Sequence, residues 1–183
     1  MRELQLPIRD EDQLKELKSG EQLELYGELI VARDQAHKLL LTLLEEGKEL
    51  PFQPQGQAIY YMGPSPAAPG KVIGAAGPTT AGRMDSMTVP LLERGVRVLI
   101  GKGKRLQLVK DALIKHSAVY LAALGGAGAL YSQKIVKAEV LAYPELGPEA
   151  ILRIQVKEFP AVVINDLHGG DLYESGPLQF REK

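Results

Sequence analysis

The sequence predicts an α/β domain with a central βαβ-like region and further strands added at its ends. Three observations carry this reading. Through the middle of the chain, short apolar runs end at glycine-bearing turns and are each followed by a helical pattern. From Ile135 onward the pattern is β-like with turns between segments and little helical periodicity. No repeat or low-complexity block divides the 183 residues, of which 45% are hydrophobic and 25% charged, so one domain over 1–183 with its own core is expected.

Taken in order, Leu14 and Leu17 recur at helical spacing before Gly20, which predicts a short surface helix between Asp10 and Gly20. Leu23, Leu25 and Leu29 to Val31 predict one or two strands, broken near Gly27. The Leu-rich stretch from Gln35 to Glu46, closed by Gly47, reads as a helix with Asp34 placed to cap its first turn. Ala58 to Met62 predicts a strand, and the Pro- and Gly-rich Gly63 to Gly70 a stiff loop. Lys71 to Ala76 reads as a buried strand that breaks at Gly77-Pro78 and hands over to a helix ending before Gly95. Val96 to Ile100 is a strand, followed by the turn Gly101-Lys102-Gly103 and a helix from Arg105 to His116. Ala118 to Leu124 adds a strand, and Ile135 to Ala142, Ala150 to Val156 and Ala161 to Asp166 add three more.

Composition excludes several function classes. Lys plus Arg number 22 against 23 for Asp plus Glu, so the formal net charge of -1 provides no global field for nucleic acid or an anionic membrane. Any anion site must be local. The chain has no cysteine, which removes a disulfide framework, a cysteine nucleophile and a thiolate-bound metal or cluster from its own repertoire. Met1 to Asp12 carries charges where a signal peptide would need an apolar stretch, and no run approaches the roughly 18 apolar residues of a membrane span. A cytoplasmic protein is expected.

The most informative stretch is Gly77 to Asp85, which contains Thr79, Thr80 and Arg83 and sits where a strand should pass into a helix. Such junctions aim backbone N–H groups and the positive helix end at one spot, which suits a carboxylate or phosphate. Arg83 lies four residues after Thr79 and three after Thr80, so on a helix its guanidinium can share a face with either hydroxyl. Spacing alone leaves open a plainer role, with Thr79 as a cap and Arg83 in solvent. A second junction carries Arg33, Asp34 and His37; Arg33 can reach over a sheet edge, and His37 can pair with Asp34 or act as a structural hydrogen-bonding residue. Lys102 lies at a third junction between two glycines, in a pattern that lacks the first glycine and the Ser or Thr of a Walker A loop. The turns after parallel strands collect at one edge of an α/β sheet, so three basic residues at three such turns can converge on one anion.

Taken together, Arg33-Asp34 with His37, Ile59-Tyr60-Tyr61 followed by Gly63-Pro64, Gly77 to Asp85, Lys102-Gly103, and Phe159-Pro160 with Asp166 resemble the C-terminal domain of class I fumarases. In two-subunit relatives, including L(+)-tartrate dehydratases, that domain is a separate beta subunit. The resemblance covers most of the chain, and its Gly-Pro-Thr-Thr-x-Gly-Arg-Met-Asp core is the specific part. It implies a swivelling β/β/α fold and a cysteine-bearing alpha subunit that binds a 4Fe-4S cluster with one iron open to substrate. It also implies a hydro-lyase that adds water to, or removes it from, a dicarboxylic acid: fumarate hydratase first, tartrate dehydratase as the alternative. The family's catalytic threonine falls on Thr79, and its substrate-binding residues on Thr80, Arg83, Arg33 and Lys102, with Lys104 the competitor for the last place. Asp34, His37 and Asp85 are the supporting candidates. No metal ligand is expected in this chain. From another class, a swivelling domain that binds phosphate at the glycine turns, or an interacting subunit docking through Leu39 to Leu44, stays open on the residues alone.

Overall fold

Parallel strands beneath helices must be buried on both faces, and the apolar runs of the central region meet that demand. A computed structural model describes residues 1–178, 180 and 181. Its elements are β1 (Arg2–Leu6), α1 (Asp12–Lys15), β2 (Gln22–Val31), α2 (Asp34–Glu45), β3 (Ala58–Tyr60), a 3-10 turn (Ala81–Met84), α3 (Asp85–Glu93), β4 (Val98–Gly101) and α4 (Gln107–Lys115). There follow β5 (Val119–Ala122), α5 (Gly128–Gln133), β6 (Ile135–Ala142), a second 3-10 segment (Pro144–Glu149), β7 (Ile151–Asn165) and α6 (Leu172–Leu178). Strands β2, β3, β4 and β5 run parallel in that order. Antiparallel β7 pairs with both β5 and β2 and so closes a five-strand, barrel-like ring; β1 extends the sheet beside β2 and β6 beside β7.

Strand alternation divides the core in two. Leu29, Val31, Tyr60, Val98, Ile100, Val119 and Leu121 join one cluster together with Phe159 and Val163 of β7. Their neighbours Ile30, Ile59, Leu99 and Tyr120 point the other way, into a second cluster with Leu40 of α2, Leu91 and Leu92 of α3, and Val109 and Leu113 of α4. The period-2 switch of faces produces this division and explains why each run is apolar throughout.

The structure differs from the sequence reading at several points. Gly27 does not break a strand: β2 is continuous, and Gly27 marks a bulge where the register with β7 shifts. Its φ is +105°, and a Cβ there would come 2.0 Å from the Leu6 carbonyl oxygen, so only glycine fits. Strand β7 likewise runs unbroken through Lys157 to Pro160, with the extra residues absorbed where Glu158 takes φ +53°. Lys71 to Ala76 forms no strand, because β3 is already paired on both sides and leaves no edge for it. That segment instead bonds Ser65 through Ala75 and is held by Ala76 N–H donating to the Gly128 carbonyl. The helices α5 and α6 were not anticipated; both are short, and α6 contains Gly176 and Pro177.

Candidate functional site

The parallel strands β2, β3 and β4 all deliver their C-terminal ends to one rim, and the chain there is stitched together by backbone bonds. Thr79 N–H donates to the Tyr61 carbonyl just beyond β3 at 2.7 Å, and Lys102 N–H donates to the Thr79 carbonyl at 3.2 Å. Ala81 N–H then donates to the Lys102 carbonyl at 2.8 Å, and Thr80 and Lys102 pair as a parallel bridge. The Thr79-Thr80 dipeptide therefore lies as a short ribbon across the ends of β3 and β4.

Onto this ribbon the junction that carries Arg33 folds. Arg33 is the residue before α2, with extended backbone, and its Nη1 lies 3.5 Å from the Thr79 hydroxyl oxygen. Thr79 is buried while Thr80 is exposed. Arg83, on the 3-10 turn that precedes α3, reaches Asp34 at the start of α2 in a bidentate pair along one edge of its guanidinium: Nε donates to Oδ1 at 2.8 Å and Nη2 to Oδ2. Lys102 is half-buried and its Nζ lies beside Gly125, where a Cβ would come within 3.7 Å of it. Lys104 is exposed two residues on. Tyr173 of α6 and Tyr120 of β5 hold the same turn, one hydroxyl accepting the Gly103 N–H at 3.0 Å and the other donating to the Gly103 carbonyl at 2.9 Å.

Two supporting residues take roles other than those expected. Asp34 is the first residue of α2 and binds Arg83 instead of capping the helix, so hydrogen bonding from that guanidinium holds its carboxyl below the usual range. His37 does not pair with Asp34. Its Nδ1 lies 3.3 Å from the Arg33 carbonyl one turn back, and its ring meets Tyr61 edge to face at 5.4 Å. The ring is fully buried with Nε2 unpartnered, so burial pushes its pKa down from 6.5 to about 4.

A pH dependence of stability follows from that burial. The folded state keeps His37 neutral where the unfolded chain takes up a proton, so this contribution is full above pH 6.5 and is lost as pH falls toward about 4. The shift is worth about 3 kcal/mol. Urea unfolding between those pH values should show this fall in the wild-type chain and a flatter profile for His37→Gln; equal slopes would refute the assignment.

Asp85 and Arg105 lie behind the rim and form an ion pair at 2.6 Å with side chains 1% and 0% exposed. Arg105 also donates to the Thr88 hydroxyl at 2.9 Å and lies over the rings of Tyr61 and Tyr120. Leu106 N–H, at the entry to α4, donates to the second Asp85 oxygen at 2.6 Å. Asp85 therefore joins the start of α3 to the start of α4 and fixes the turn that carries Lys102. Sequence reasoning missed Arg105, since nothing in the run Lys102 to Arg105 says which basic side chain turns inward.

Among the described residues no group of three or more His, Cys, Asp or Glu side chains is placed to hold a metal ion, and the sequence has no cysteine. The donor set of this chain does not fit an iron-sulfur cluster. No helix among the described residues is long and apolar enough to cross a membrane.

A rim of hydroxyls and guanidiniums at the ends of parallel strands places the chain among α/β units whose strand-end turns gather polar side chains at one edge. Its membership is narrower than that. The chain belongs to the fumarase C-terminus family, whose model matches residues 1–176. It is 44% identical over 165 residues to the anaerobic class I fumarate hydratase of Escherichia coli K12, covering 88% of this chain and 30% of that protein. It is 40% identical over 175 residues to fumarate hydratase 2 of Leishmania major, covering 93% of this chain and 31% of that protein. The chain thus spans about a third of the length of these relatives. A Methanocaldococcus jannaschii protein provisionally named L(+)-tartrate dehydratase subunit beta is 32% identical over 176 residues, covering 93% of this chain and 90% of that protein.

Proposed function

We propose that this chain is the beta subunit of a two-subunit hydro-lyase, fumarate hydratase in the first instance, that interconverts fumarate and L-malate. The observation that carries the reading is the Thr79 hydroxyl lying against Arg33 inside the Gly77 to Asp85 motif, with Lys102 stitched to the same ribbon. Arg33, Arg83, Lys102 and the Thr80 hydroxyl bind the two carboxylates, because a dianion removed from water needs several cationic and hydrogen-bonding donors. In the dehydration direction Thr79 takes the proton from the carbon next to a carboxylate. A threonine alkoxide is a credible base only where cations and hydrogen bonds stabilise it, and the Arg33 guanidinium supplies that at Thr79. The acid that assists departure of the hydroxyl comes from a cysteine-bearing alpha subunit, which also holds the 4Fe-4S cluster that this chain has no thiolate to bind. The swivelling β/β/α name, a single domain over 1–183 and a cytoplasmic location complete the proposal.

A second reading rests on the Methanocaldococcus relative, whose length this chain nearly fills: L(+)-tartrate dehydratase, with the same residues in the same roles. One anaerobic assay separates the two. The chain is combined with its partner and a reconstituted cluster, and fumarate, L-malate and L-tartrate are compared, with each subunit alone as control. Turnover of fumarate and L-malate only in the complex supports the first reading, and turnover of L-tartrate the second; a cluster-loaded complex inert to all three overturns both.

A further inference from the structure

Arg33 is held by a residue from the far end of the fold. Glu149 closes the 3-10 segment between β6 and β7, 114 residues beyond Gln35, yet its Oε2 accepts the Gln35 N–H at 2.8 Å. That amide is among the first of α2, which have no partner inside the helix, and a carboxylate is favourable at this end of the dipole. Fixed in this way, Glu149 turns its other oxygen to Arg33 Nη2 at 3.3 Å, in a pair where each side chain is only 23% exposed. The guanidinium is bounded on a third side by Gly63, where a Cβ would come 2.6 Å from Arg33 Cζ and 2.8 Å from Nε. What remains is Nη1 against the Thr79 hydroxyl, and a buried Nε without a partner.

We infer that Glu149 is a positioning residue of this site: with Gly63 it fixes the plane of the Arg33 guanidinium so that Nη1 stays on Thr79. The inference rests on the hydro-lyase reading for its consequence in turnover, but the hold of Glu149 on Arg33 is a property of this chain alone. An arginine side chain has several rotatable bonds and samples many positions unless something stops it, and a misplacement of about 1 Å at a reacting centre can cost about 10²-fold in rate.

Two measurements test it. In the full chain labelled with nitrogen-15 arginine, the Nε–H signal of Arg33 is identified by its loss in Arg33→Lys, and that of Arg105 serves as internal control. Glu149→Ala and Glu149→Gln should each speed exchange of the Arg33 proton at least about tenfold, because the glutamine amide offers one oxygen where the carboxylate serves both the Gln35 N–H and Arg33 Nη2, with Arg105 unchanged in both. In the assembled enzyme, Glu149→Ala should lower kcat/KM by about 30-fold alone but by less than about threefold when added to Arg33→Ala, since a residue that acts through Arg33 has nothing left to act on. Unchanged exchange in Glu149→Ala, additive losses, or a gain in dicarboxylate affinity on removing Glu149 would each overturn the inference. An assembled wild-type enzyme inert to fumarate and L-tartrate would instead overturn the hydro-lyase reading, and the exchange result would still decide whether Glu149 holds Arg33.

Discussion

On the proposed hydro-lyase reading, Thr79→Val should lower kcat of the assembled enzyme by about 10³-fold, the scale of a lost general base, while KM for fumarate should stay within about threefold. Valine keeps the branched shape of a buried residue whose backbone is tied to Tyr61 and Lys102, so the ribbon across the strand ends stays in place. What disappears is the one oxygen that Arg33 Nη1 faces at 3.5 Å. Because a base acts on the proton in flight more than on the bound substrate, the loss falls on kcat and spares KM. Thr79→Ser restores a hydroxyl and should recover activity to within about tenfold of wild type, the remainder reflecting a freer rotamer. Steady-state kinetics of the two variants in cluster-loaded complexes decides the matter, and a valine variant with near-normal kcat would remove Thr79 from the chemistry.

Arg105→Met destabilises the chain by about 3–5 kcal/mol, the usual loss when one partner of a buried ion pair is removed. Asp85 would be left in the interior, still accepting the Leu106 N–H but facing no cation, and Thr88 would lose its donor. The flanking rings of Tyr61 and Tyr120 would also lose a cation at 5.4 and 5.0 Å from their centroids. Replacing both partners, Asp85→Leu with Arg105→Met, should cost less than Arg105→Met alone, because no buried charge is then stranded. Urea unfolding midpoints of the three proteins test this; a single variant within about 1 kcal/mol of wild type would show that water reaches the pair.

How far the sequence reveals this molecule depends on whether a feature is local. Arg33 and Lys102 are legible because each follows a parallel strand, and Thr79, Thr80 and Arg83 because they lead into a helix, although a loop and not a strand precedes them; the structure brings Arg33, Thr79 and Lys102 together at the rim of parallel strands, with Arg83 reaching Asp34 beside them. The runs Ala58 to Tyr60, Val98 to Gly101 and Val119 to Ala122 were legible because burial on both faces makes them continuously apolar. The carboxylate partners were not. Asp34 with Arg83, Glu149 with Arg33 and Asp85 with Arg105 join residues 49, 116 and 20 positions apart, and side chains of either sign look alike from spacing until topology pairs them. Local pattern also erred where the outcome hung on a free sheet edge. Lys71 to Ala76 has the composition of a strand but follows β3, which β2 and β4 already pair on both sides, whereas β7 keeps its pairing through Pro160 because β2 opposes it almost throughout.

The closed ring also sets an order of events at the ribosome. β2 is complete at Val31, yet the strand that lines it from end to end, β7, begins only at Ile151. At about 5–20 residues per second of synthesis, the edge of β2 waits roughly 6–24 seconds for its partner. The parallel strands and their helices can settle in that interval. The Arg33 clamp cannot, because Glu149 emerges just ahead of β7, so the rim around Thr79 is among the last parts of the nascent chain to take shape.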